Sequence, residues 1–405
     1  MTRNGEANGH ASSSEDWNDF VHTGPGTLAG RYLRMFWQPV YHADDIAPGR
    51  AKPLKIMSEG FTLYRGEGGL AHAVAFRCAH RGTQLSTGWV EGDAVRCFYH
   101  GWAYGPDGQC LEQPAEPEPF CNRIRIKGYP TQEYLGLIFV FFGEGEPPPL
   151  PRFADLEDES QGVRENYTYT WPCNYFNSLE NDPYHGLWVH RESYEAAGRA
   201  AAGIPEVTCE ETDYGYVTWS RRAGGRATAG HRIMPNSSYG RRTSTSREAT
   251  GGGSPGFESA WRTAVAWRVP VDDEHFVTYG VNMTHLDAEA AERYREVARQ
   301  VAERAKDLAS AEELGERVLG GEIRIADVED RHVDSSRLFN LQDYASQVAQ
   351  GAIADRAHEH LGREDATIIL NRTIWRRELR ALAEGRPLKQ WALPDELTVG
   401  MTRGW

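Results

Sequence analysis

Two short segments of the sequence each carry one cysteine and one histidine at a spacing suited to metal binding. They are Cys78-Ala79-His80 and, after sixteen intervening residues, Cys97-Phe98-Tyr99-His100. Thiolates are soft ligands that hold iron–sulfur clusters or zinc. A zinc finger usually pairs cysteine with cysteine and histidine with histidine along the chain, whereas each segment here mixes the two. The mixed order favours a [2Fe–2S] cluster in which the cysteines hold one iron and the histidines the other. A structural zinc site is the alternative.

Residues 174–190 contain a second set of possible ligands. His185 and His190 lie five positions apart, and Asp182 precedes the first of them by three. Two histidines and one carboxylate on one face of an iron ion leave its other positions open for O₂ and a substrate. The spacing is wider than one helical turn, so Gly186 would have to distort the local backbone for both rings to reach one ion. Two ordinary histidines are the alternative.

The carboxylate that completes such a site should lie far along the chain. The segment 340–356 offers Asp343 and Asp355. We favour Asp343, which follows Gln342 at the start of a helical stretch whose apolar face could lie against the first two ligands. A solvated carboxylate near a helix N-terminus is the alternative for Asp343. Asp355 is next to Arg356 and is more typical of an ion-paired surface residue.

The elements that must position these ligands change in character along the chain. Residues 1–32 are predicted as a polar N-terminal tail. Residues 33–150 consist of short apolar runs ended by glycine or charged residues, a pattern typical of strands and turns. The proline-rich stretch 143–153 fits neither a helix nor a central strand, so we place a domain boundary there, with a second domain over 151–405.

Within the second domain, residues 287–308 have the periodicity of an amphipathic helix with Asp287 as its N-cap. Residues 269–281 resemble a β-hairpin that turns at Asp272-Asp273. Residues 341–384 are predicted to be largely helical. Residues 225–258 are rich in Gly, Ser and Arg and are predicted as a long loop, either a functional lid or an idle surface loop.

Composition excludes several classes of protein. The 405 residues contain 44 Lys and Arg against 58 Asp and Glu, a formal charge of −14, which disfavours binding to nucleic acid. No run of 18 apolar residues predicts a membrane span, and the N-terminus lacks the apolar region of a secretory signal. We therefore expect a cytoplasmic protein with reduced cysteines, whose roles are metal binding or packing.

The residues beside the ligands resemble a known family. Arg81-Gly82 follows the first Cys-x-His segment and Gly101-Trp102 follows the second, as in Rieske oxygenases and their ferredoxins. The Asp182-Pro-Tyr-His185 register resembles the iron-binding motif of the same oxygenases. In that family the motif reads Glu-Asn-x-x-Asp-Pro-x-His-x₄-His, and this chain is two residues shorter between Asn181 and Asp182. The match extends from about Leu33 to Leu382 and is similar to the oxygenase (α) subunit of Rieske non-haem iron oxygenases.

This resemblance implies an α+β fold, with a β-rich Rieske domain and a catalytic domain that has an antiparallel sheet flanked by helices. It implies a Rieske [2Fe–2S] cluster on Cys78, His80, Cys97 and His100. It also implies a mononuclear Fe(II) on His185, His190 and Asp343. The family forms homotrimers in which Asp182 would bridge His185 and the partner subunit's His100, and a turn or N-cap residue is the alternative for Asp182.

The resemblance further implies an oxygenase that uses O₂ and electrons from a reductase or ferredoxin, ultimately from NAD(P)H. No Gly-x-Gly-x-x-Gly fingerprint in a strand–helix setting predicts nicotinamide binding by this chain itself. The C-terminal part resembles the phthalate-dioxygenase-like branch, which implies hydroxylation or oxidative O- or N-demethylation of an aromatic substrate. The alternatives are cis-dihydroxylation of an aromatic ring and a Rieske electron-transfer protein.

Several aromatic residues of the second domain could line a substrate pocket, but packing in the core is the favoured interpretation for each. They are Phe176, Trp188, Trp261, Trp267 and Tyr279.

Overall fold

The fold is known from a computed structural model. It describes residues 16–181, 189–190, 206–221, 228–243, 261–328, 335–394 and 397. Among the predicted site residues, Asp182, His185 and Trp188 lie outside these ranges. The described part combines antiparallel sheets with helices, which confirms the predicted α+β class. No described helix has the length and apolar composition of a membrane span.

The N-terminal part of the chain is built from short antiparallel strands. They form a three-stranded sheet in the order β1-β11-β10 and two four-stranded sheets in the orders β2-β3-β4-β9 and β5-β6-β7-β8. The strands are β1 Trp37–His42, β2 Arg50–Ile56, β3 Glu59–Arg65, β4 Ala71–Ala75, β5 Trp89–Glu91, β6 Ala94–Arg96, β7 Ala103–Tyr104, β8 Cys110–Glu112, β9 Gly128–Tyr129, β10 Thr131–Tyr134 and β11 Leu137–Phe141.

The rest of the chain forms one antiparallel sheet of seven described strands in the order β12-β18-β17-β16-β15-β14-β13. Its strands are β12 Gly162–Trp171, β13 Glu206–Glu211, β14 Gly215–Arg221, β15 Thr228–Ile233, β16 Ser237–Thr243, β17 Trp261–Pro270 and β18 Phe276–His285. The α-helices of the described chain are α1 Leu28–Arg34, α2 Tyr175–Leu179, α3 Ala288–Ala305, α4 Ala311–Leu319, α5 Ser335–Val348 and α6 Ala366–Ala383.

The two faces of the seven-stranded sheet have different neighbours. Side chains alternate between faces along a strand, and on one face Trp267 packs edge-on against Phe139 with ring centroids 5.3 Å apart. On the same face the Tyr279 hydroxyl donates to the carbonyl of Val40. Both aromatic side chains are therefore core residues between the sheet and the N-terminal strands. We call this side the domain-facing face and the opposite one the helix-facing face.

Several local predictions are confirmed. Helix α3 begins after Asp287, whose side chain accepts from the Ala290 amide. Strands β17 and β18 form the predicted hairpin, and at its turn Asp272 Oδ1 accepts from the Glu274 amide at 3.0 Å.

The prediction of a loop over 225–258 is wrong in part. Residues 228–233 and 237–243 are strands β15 and β16 in the interior of the sheet, and residues 244–260 lie outside the described ranges. Glycine and serine have low strand propensity, but pairing with two neighbouring strands decides the conformation.

The N-terminal segment joins the core before residue 33. Phe20, Leu28 and Tyr32 are buried in the same hydrophobic core as the sheet residues. The side chain of Thr27 caps helix α1 by accepting from the Gly30 amide at 3.1 Å. The buried part of the chain therefore begins before residue 33, within the segment 1–32 that we predict as a polar tail.

Candidate functional site

Two loops of matching backbone geometry carry the four predicted cluster ligands. We call residues 78–83 the first cluster loop and residues 97–102 the second. In the first loop the Cys78 amide donates to the Thr83 carbonyl at 2.8 Å, and the Gly82 amide donates to the Cys78 carbonyl at 2.9 Å. The second loop repeats both bonds: the Cys97 amide donates to the Trp102 carbonyl at 2.9 Å, and the Gly101 amide donates to the Cys97 carbonyl at 3.0 Å. Gly82 and Gly101 have φ values of +73° and +76°, which a side chain would strain.

The cluster loops bring the four predicted ligands to one end of the N-terminal region. The imidazole rings of His80 and His100 lie 4.5 Å apart between centroids, and both cysteines are buried. Burial raises the pKa of the Cys78 thiol, and the nearby Cys97 raises it further, so the two sulfurs are neighbours. A bound metal cation would reverse this effect and keep the thiolates deprotonated.

The chemistry of this donor set fits a two-iron cluster. His80 Nδ1 is buried and has no hydrogen-bond partner among the described residues, which would be costly unless another group, such as a metal, satisfies the nitrogen. Trp102 stacks on the His80 ring at 4.6 Å with an angle of 7° between the planes and holds its orientation. Two thiolates and two imidazoles, delivered by equivalent loops, match the ligands of a Rieske cluster.

A tyrosine hydroxyl lies against one of the cluster sulfurs. Tyr104 Oη is 3.2 Å from Cys78 Sγ and accepts from the Ala79 amide at 3.1 Å. Burial raises the pKa of Tyr104, and its bond to Cys78 raises it further, so the phenol keeps its proton. With the amide already donating to its oxygen, Tyr104 donates to the sulfur.

Replacing Tyr104 by phenylalanine should lower the reduction potential of the cluster. A hydrogen bond to a ligand sulfur stabilises the reduced cluster, which carries more negative charge. The measurement is a redox titration followed by visible or EPR spectroscopy. Tyr64→Phe is the matched control, because Tyr64 is equally buried but donates to the Asp93 carbonyl instead. An unchanged potential in Tyr104→Phe would contradict the assignment.

The second predicted site is partly within the described residues. His190 Nε2 lies 3.3 Å from Asp343 Oδ1, although the two residues are far apart in sequence. The Asn181 side-chain amide donates to the same Asp343 oxygen at 3.2 Å. Asp355, the less favoured candidate, lies in an exposed turn where it pairs with His358 at 2.7 Å. The fold thus brings Asp343, and not Asp355, to His190.

The contacts of His190 place its two ring nitrogens against different residues. Nδ1 lies 3.0 Å from the side-chain oxygen of Gln342, which can only accept, so we assign the ring proton to Nδ1. Nε2 then presents its lone pair on the side of Asp343. The ring is 3% exposed and stacks on Phe339 at 3.4 Å. One imidazole and one carboxylate fit two of the three ligands of a two-histidine, one-carboxylate iron site.

Changing Gln342 to leucine should weaken iron binding without affecting the cluster. The outer hydrogen bond of a ligating histidine fixes its tautomer and orientation, and its loss typically lowers metal affinity about 10- to 100-fold. The measurement is the rate of iron loss to a chelator, with the cluster spectrum recorded in parallel. Gln350→Leu is the control on the same segment, since the Gln350 side chain bonds only to the Ser346 carbonyl among the described residues. Equal iron retention in both variants would contradict the role of Gln342.

A buried ion pair anchors the chain just before the metal-binding segment. Glu180 follows helix α2, and its side chain is 7% exposed between those of Arg356 and Arg372. Arg356 donates to one carboxylate oxygen at 2.9 Å, and Arg372 donates to the other. Arg232 also donates to the carbonyl of Asn181 at 2.8 Å. These contacts fix the backbone immediately before Asp182.

The sequence did not reveal Tyr104, Gln342 or the partners of Glu180. Gln342 adjoins Asp343 in sequence. Its contact with His190 joins residues 152 positions apart, so only the folded structure reveals it. The aromatic candidates Phe176, Trp267 and Tyr279 are fully packed in the core. Trp261 is partly accessible and stacks on His285. No group of three or more His, Cys, Asp and Glu side chains placed to hold one ion occurs within the described ranges, which do not include His185.

Comparisons with known proteins agree with this arrangement. Residues 36–130 match the Rieske [2Fe-2S] domain family. The chain is 27% identical over 396 residues to the 5,5'-dehydrodivanillate O-demethylase oxygenase subunit of Sphingobium sp. (strain NBRC 103272 / SYK-6), covering 93% of this chain and 82% of that protein. It is 34% identical to the phenoxybenzoate dioxygenase subunit alpha of Ectopseudomonas oleovorans, over 62% of this chain and 64% of that protein.

The fold also matches a solved structure, the reduced complex between oxygenase and ferredoxin in carbazole 1,9a-dioxygenase. The TM-score is 0.58 at 17% identity, with 89% of this chain and 94% of that chain covered. The Rieske domain match confirms the predicted cluster, and the relatives named as oxygenases confirm the predicted class of enzyme. The chain belongs to the Rieske non-haem iron oxygenases and is the oxygenase component of such a system.

Proposed function

We propose that this enzyme takes electrons from a ferredoxin or reductase and uses O₂ to hydroxylate or oxidatively demethylate a small aromatic substrate. The observation that carries this proposal is the presence of two separate metal-binding arrangements in one chain. The cluster loops offer four ligands for the [2Fe–2S] cluster, and the His190–Asp343 pair offers two for an iron. An electron carrier would need only the first.

We assign Cys78, His80, Cys97 and His100 to the cluster. We assign His190, Asp343 and His185 to the iron, with His185 lying outside the described residues. When bound, the cluster supplies single electrons and the iron supplies the chemistry that activates O₂.

Other side chains hold these groups ready. Gln342 holds the proton on His190 Nδ1, and Tyr104 donates a hydrogen bond to Cys78 Sγ. Phe339 covers the His190 ring and excludes water from it. The seven-stranded sheet and the buried ion pair of Glu180 hold the segment before Asp182 and the segment that carries Asp343 in fixed relative positions.

The proposed assembly is a homotrimer in which the cluster of one subunit serves the iron of the next. Phe98 and Tyr99 in the second cluster loop are each 51% exposed, which is unusual for neighbouring aromatic residues and suits a contact with another protein surface. Asp182, outside the described residues, is proposed to bridge His185 and the partner subunit's His100. Light scattering that gives a monomer mass for active enzyme would contradict the assembly.

A ferredoxin is a suitable electron donor, because the oxygenase of carbazole 1,9a-dioxygenase, which shares this fold, has been solved in complex with a ferredoxin. A flavin-dependent reductase acting directly is the alternative, and NAD(P)H is the proposed ultimate source of electrons in both cases.

The reaction subtype is supported by the names of the relatives. One is an O-demethylase oxygenase subunit that aligns over 93% of this chain. The relative with 34% identity is named as a dioxygenase, which keeps cis-dihydroxylation as the second candidate. Both reactions use the same metal arrangement, so the shape of the substrate site decides which carbon is oxidised.

The test combines metal analysis with a substrate screen. Purified protein should contain about three irons per chain, the sum of the cluster and the mononuclear site. With a surrogate reductase, NADH and O₂ consumption should rise with one class among aromatic acids, methoxyarenes and N-alkyl anilides. Formaldehyde release identifies demethylation, and a cis-diol product identifies ring dihydroxylation. Two irons per chain and no substrate-stimulated O₂ uptake would instead indicate an electron carrier.

A further inference from the structure

The middle of the helix-facing face is partly accessible. Helix α5 contacts this face at one end, where the Tyr344 and Trp171 rings meet edge-on at 5.5 Å. Helix α6 contacts it towards the other end, where the Thr367 and Thr218 hydroxyls lie 3.3 Å apart. Between these contacts, side chains on β15, β16 and β17 that share the helix-facing face remain half-buried. The members of this set are Arg232, Ser238 and Arg268.

Two arginines lie side by side in this recess. Arg232 pairs in register with Ser238, which pairs in turn with Ala266. Arg268 is two residues further along β17, on the same face, and reaches back along the sheet. Its Nη1 donates to the Ser238 hydroxyl and, at 3.3 Å, to the Ala266 carbonyl. The Arg268 guanidinium therefore lies against Ser238, the residue that faces Arg232 across the neighbouring strand, and the charge of Arg232 acts on Arg268.

Neither arginine has a carboxylate partner among the described residues. No ion pair within those ranges includes Arg232 or Arg268, and Arg268 Nε is buried without a hydrogen-bond partner there. Burial lowers the pKa of Arg268, and the like charge of Arg232 lowers it further, while Asp343 acts in the opposite direction. Two adjacent, half-buried cations without a carboxylate partner are costly in a folded protein.

The other acidic groups close to this face are already engaged. Glu180 is held by two other arginines. Glu312 accepts from the Trp171 indole at 3.2 Å, and Glu316 accepts from the Tyr344 hydroxyl. Asp343 is the predicted iron ligand, so a bound iron would match its charge. The two guanidinium groups are left with an excess of positive charge.

The recess is continuous with the iron site. Arg232 donates to the carbonyl of Asn181, and the Asn181 side chain donates to Asp343, at 2.8 and 3.2 Å. Tyr169 extends the same face beside Arg268, since both pair with Thr278. The pKa of Tyr169 is raised by burial and responds to the charges of Arg268 and Asp343, so its phenol lies near both.

We propose that Arg232 and Arg268 bind the carboxylate of an aromatic acid substrate and hold its ring beside the iron site at His190 and Asp343. This inference rests on the proposed oxygenase function and names its substrate class. A guanidinium group matches a carboxylate in shape and donates two parallel hydrogen bonds to it. A site built for a charged group strongly rejects neutral analogues, because its own buried donors are then left unpaired.

The test measures equilibrium binding to the iron-loaded enzyme, without turnover. Benzoate, 4-methoxybenzoate and biphenyl-4-carboxylate, each with its primary amide, are titrated anaerobically by calorimetry. We expect at least one acid to bind at least ~30-fold more tightly than its amide. Arg268→Met and Arg232→Met should each reduce that preference by at least ~30-fold, the scale expected when one partner of a buried charge pair is removed.

The controls separate charge, folding and position. Arg268→Lys keeps the charge but not the planar fork, so it should retain an intermediate preference. Arg221→Met removes an exposed arginine that pairs with Glu206 at 2.7 Å on the same sheet, and it should bind like the wild type. Iron content and thermal unfolding are recorded for each variant, so that a misfolded protein is not counted.

Three outcomes distinguish this inference from the proposed function. Equal binding of every acid and its amide to the wild type, or a preference that survives both methionine variants, overturns the arginine assignment. A clear acid preference that depends on both arginines supports it, even if no aromatic compound stimulates O₂ uptake, in which case the proposed oxygenase reaction fails alone. Stimulated O₂ uptake with neutral aromatics only would retain the oxygenase and overturn the carboxylate site.

Discussion

Replacing Asp343 by alanine should remove the mononuclear iron and abolish turnover, while the cluster spectrum stays intact. Asp343 Oδ1 is the carboxylate oxygen that lies 3.3 Å from His190 Nε2, and an iron site reduced to two histidines loses both charge neutralisation and geometry. The iron content should fall from about three to about two per chain. Metal analysis and EPR spectroscopy of the same sample measure both sites.

Asp355→Ala is the control for this experiment. Asp355 was the competing candidate in the sequence, and it lies in an exposed turn where it caps Ala357 and pairs with His358. We expect its replacement to leave iron content and turnover unchanged. Iron loss in the Asp355 variant, or full iron content in the Asp343 variant, would show that the third ligand is misassigned. Loss of the cluster in either variant would mean that the two sites are not independent.

Replacing Glu180 by glutamine should destabilise the protein by about 3–5 kcal/mol, the usual cost of removing one member of a buried ion pair. Glu180 is 7% exposed, and its partners Arg356 and Arg372 are 15% and 12% exposed. Without the carboxylate, Arg356 loses its ion-pair partner and Arg372 keeps only the partly exposed Glu359, among the described residues. Turnover should also fall, because the residue lies only two positions before Asp182. The shift in the thermal or urea unfolding transition gives the first effect, and steady-state kinetics the second.

Glu359→Gln provides the comparison for this variant. Among the described residues the Glu359 side chain pairs only with Arg372, and it is 27% exposed, so solvent screens its contribution to below about 1 kcal/mol. Similar unfolding transitions for the two variants would show that the Glu180 pair carries no special share of the stability. A destabilised Glu180 variant with normal turnover would separate its role in folding from any role in positioning Asp182.

Sequence was most informative where the relevant contacts are local. The cluster loops keep each cysteine within three residues of its histidine, and the glycines that shape each turn adjoin them, so residue order alone indicated the ligands. The N-cap at Asp287 and the hairpin turn at Asp272 are likewise local signals. These elements needed no knowledge of tertiary structure.

Features that depend on strand register were not accessible in the same way. Residues 225–258 have the composition of a loop, yet part of this segment forms two inner strands, because neighbouring strands supply the hydrogen bonds. The proximity of Arg232 and Arg268 follows from that register and cannot be deduced from their positions, which are 36 residues apart in sequence. The preference for Asp343 over Asp355 needed only the helical pattern around it, but its contact with His190 required the fold.

Strand β17 has a consequence for how this enzyme could acquire new substrates. Its neighbouring residues Trp267 and Arg268 point in opposite directions, one into the contact with the N-terminal strands and the other into the recess beside the iron site. Replacing alternate residues along this strand would change the polarity and volume offered to a ligand and leave the domain contact intact. Single substitutions in β17 could therefore change the substrate preference without altering electron delivery or folding.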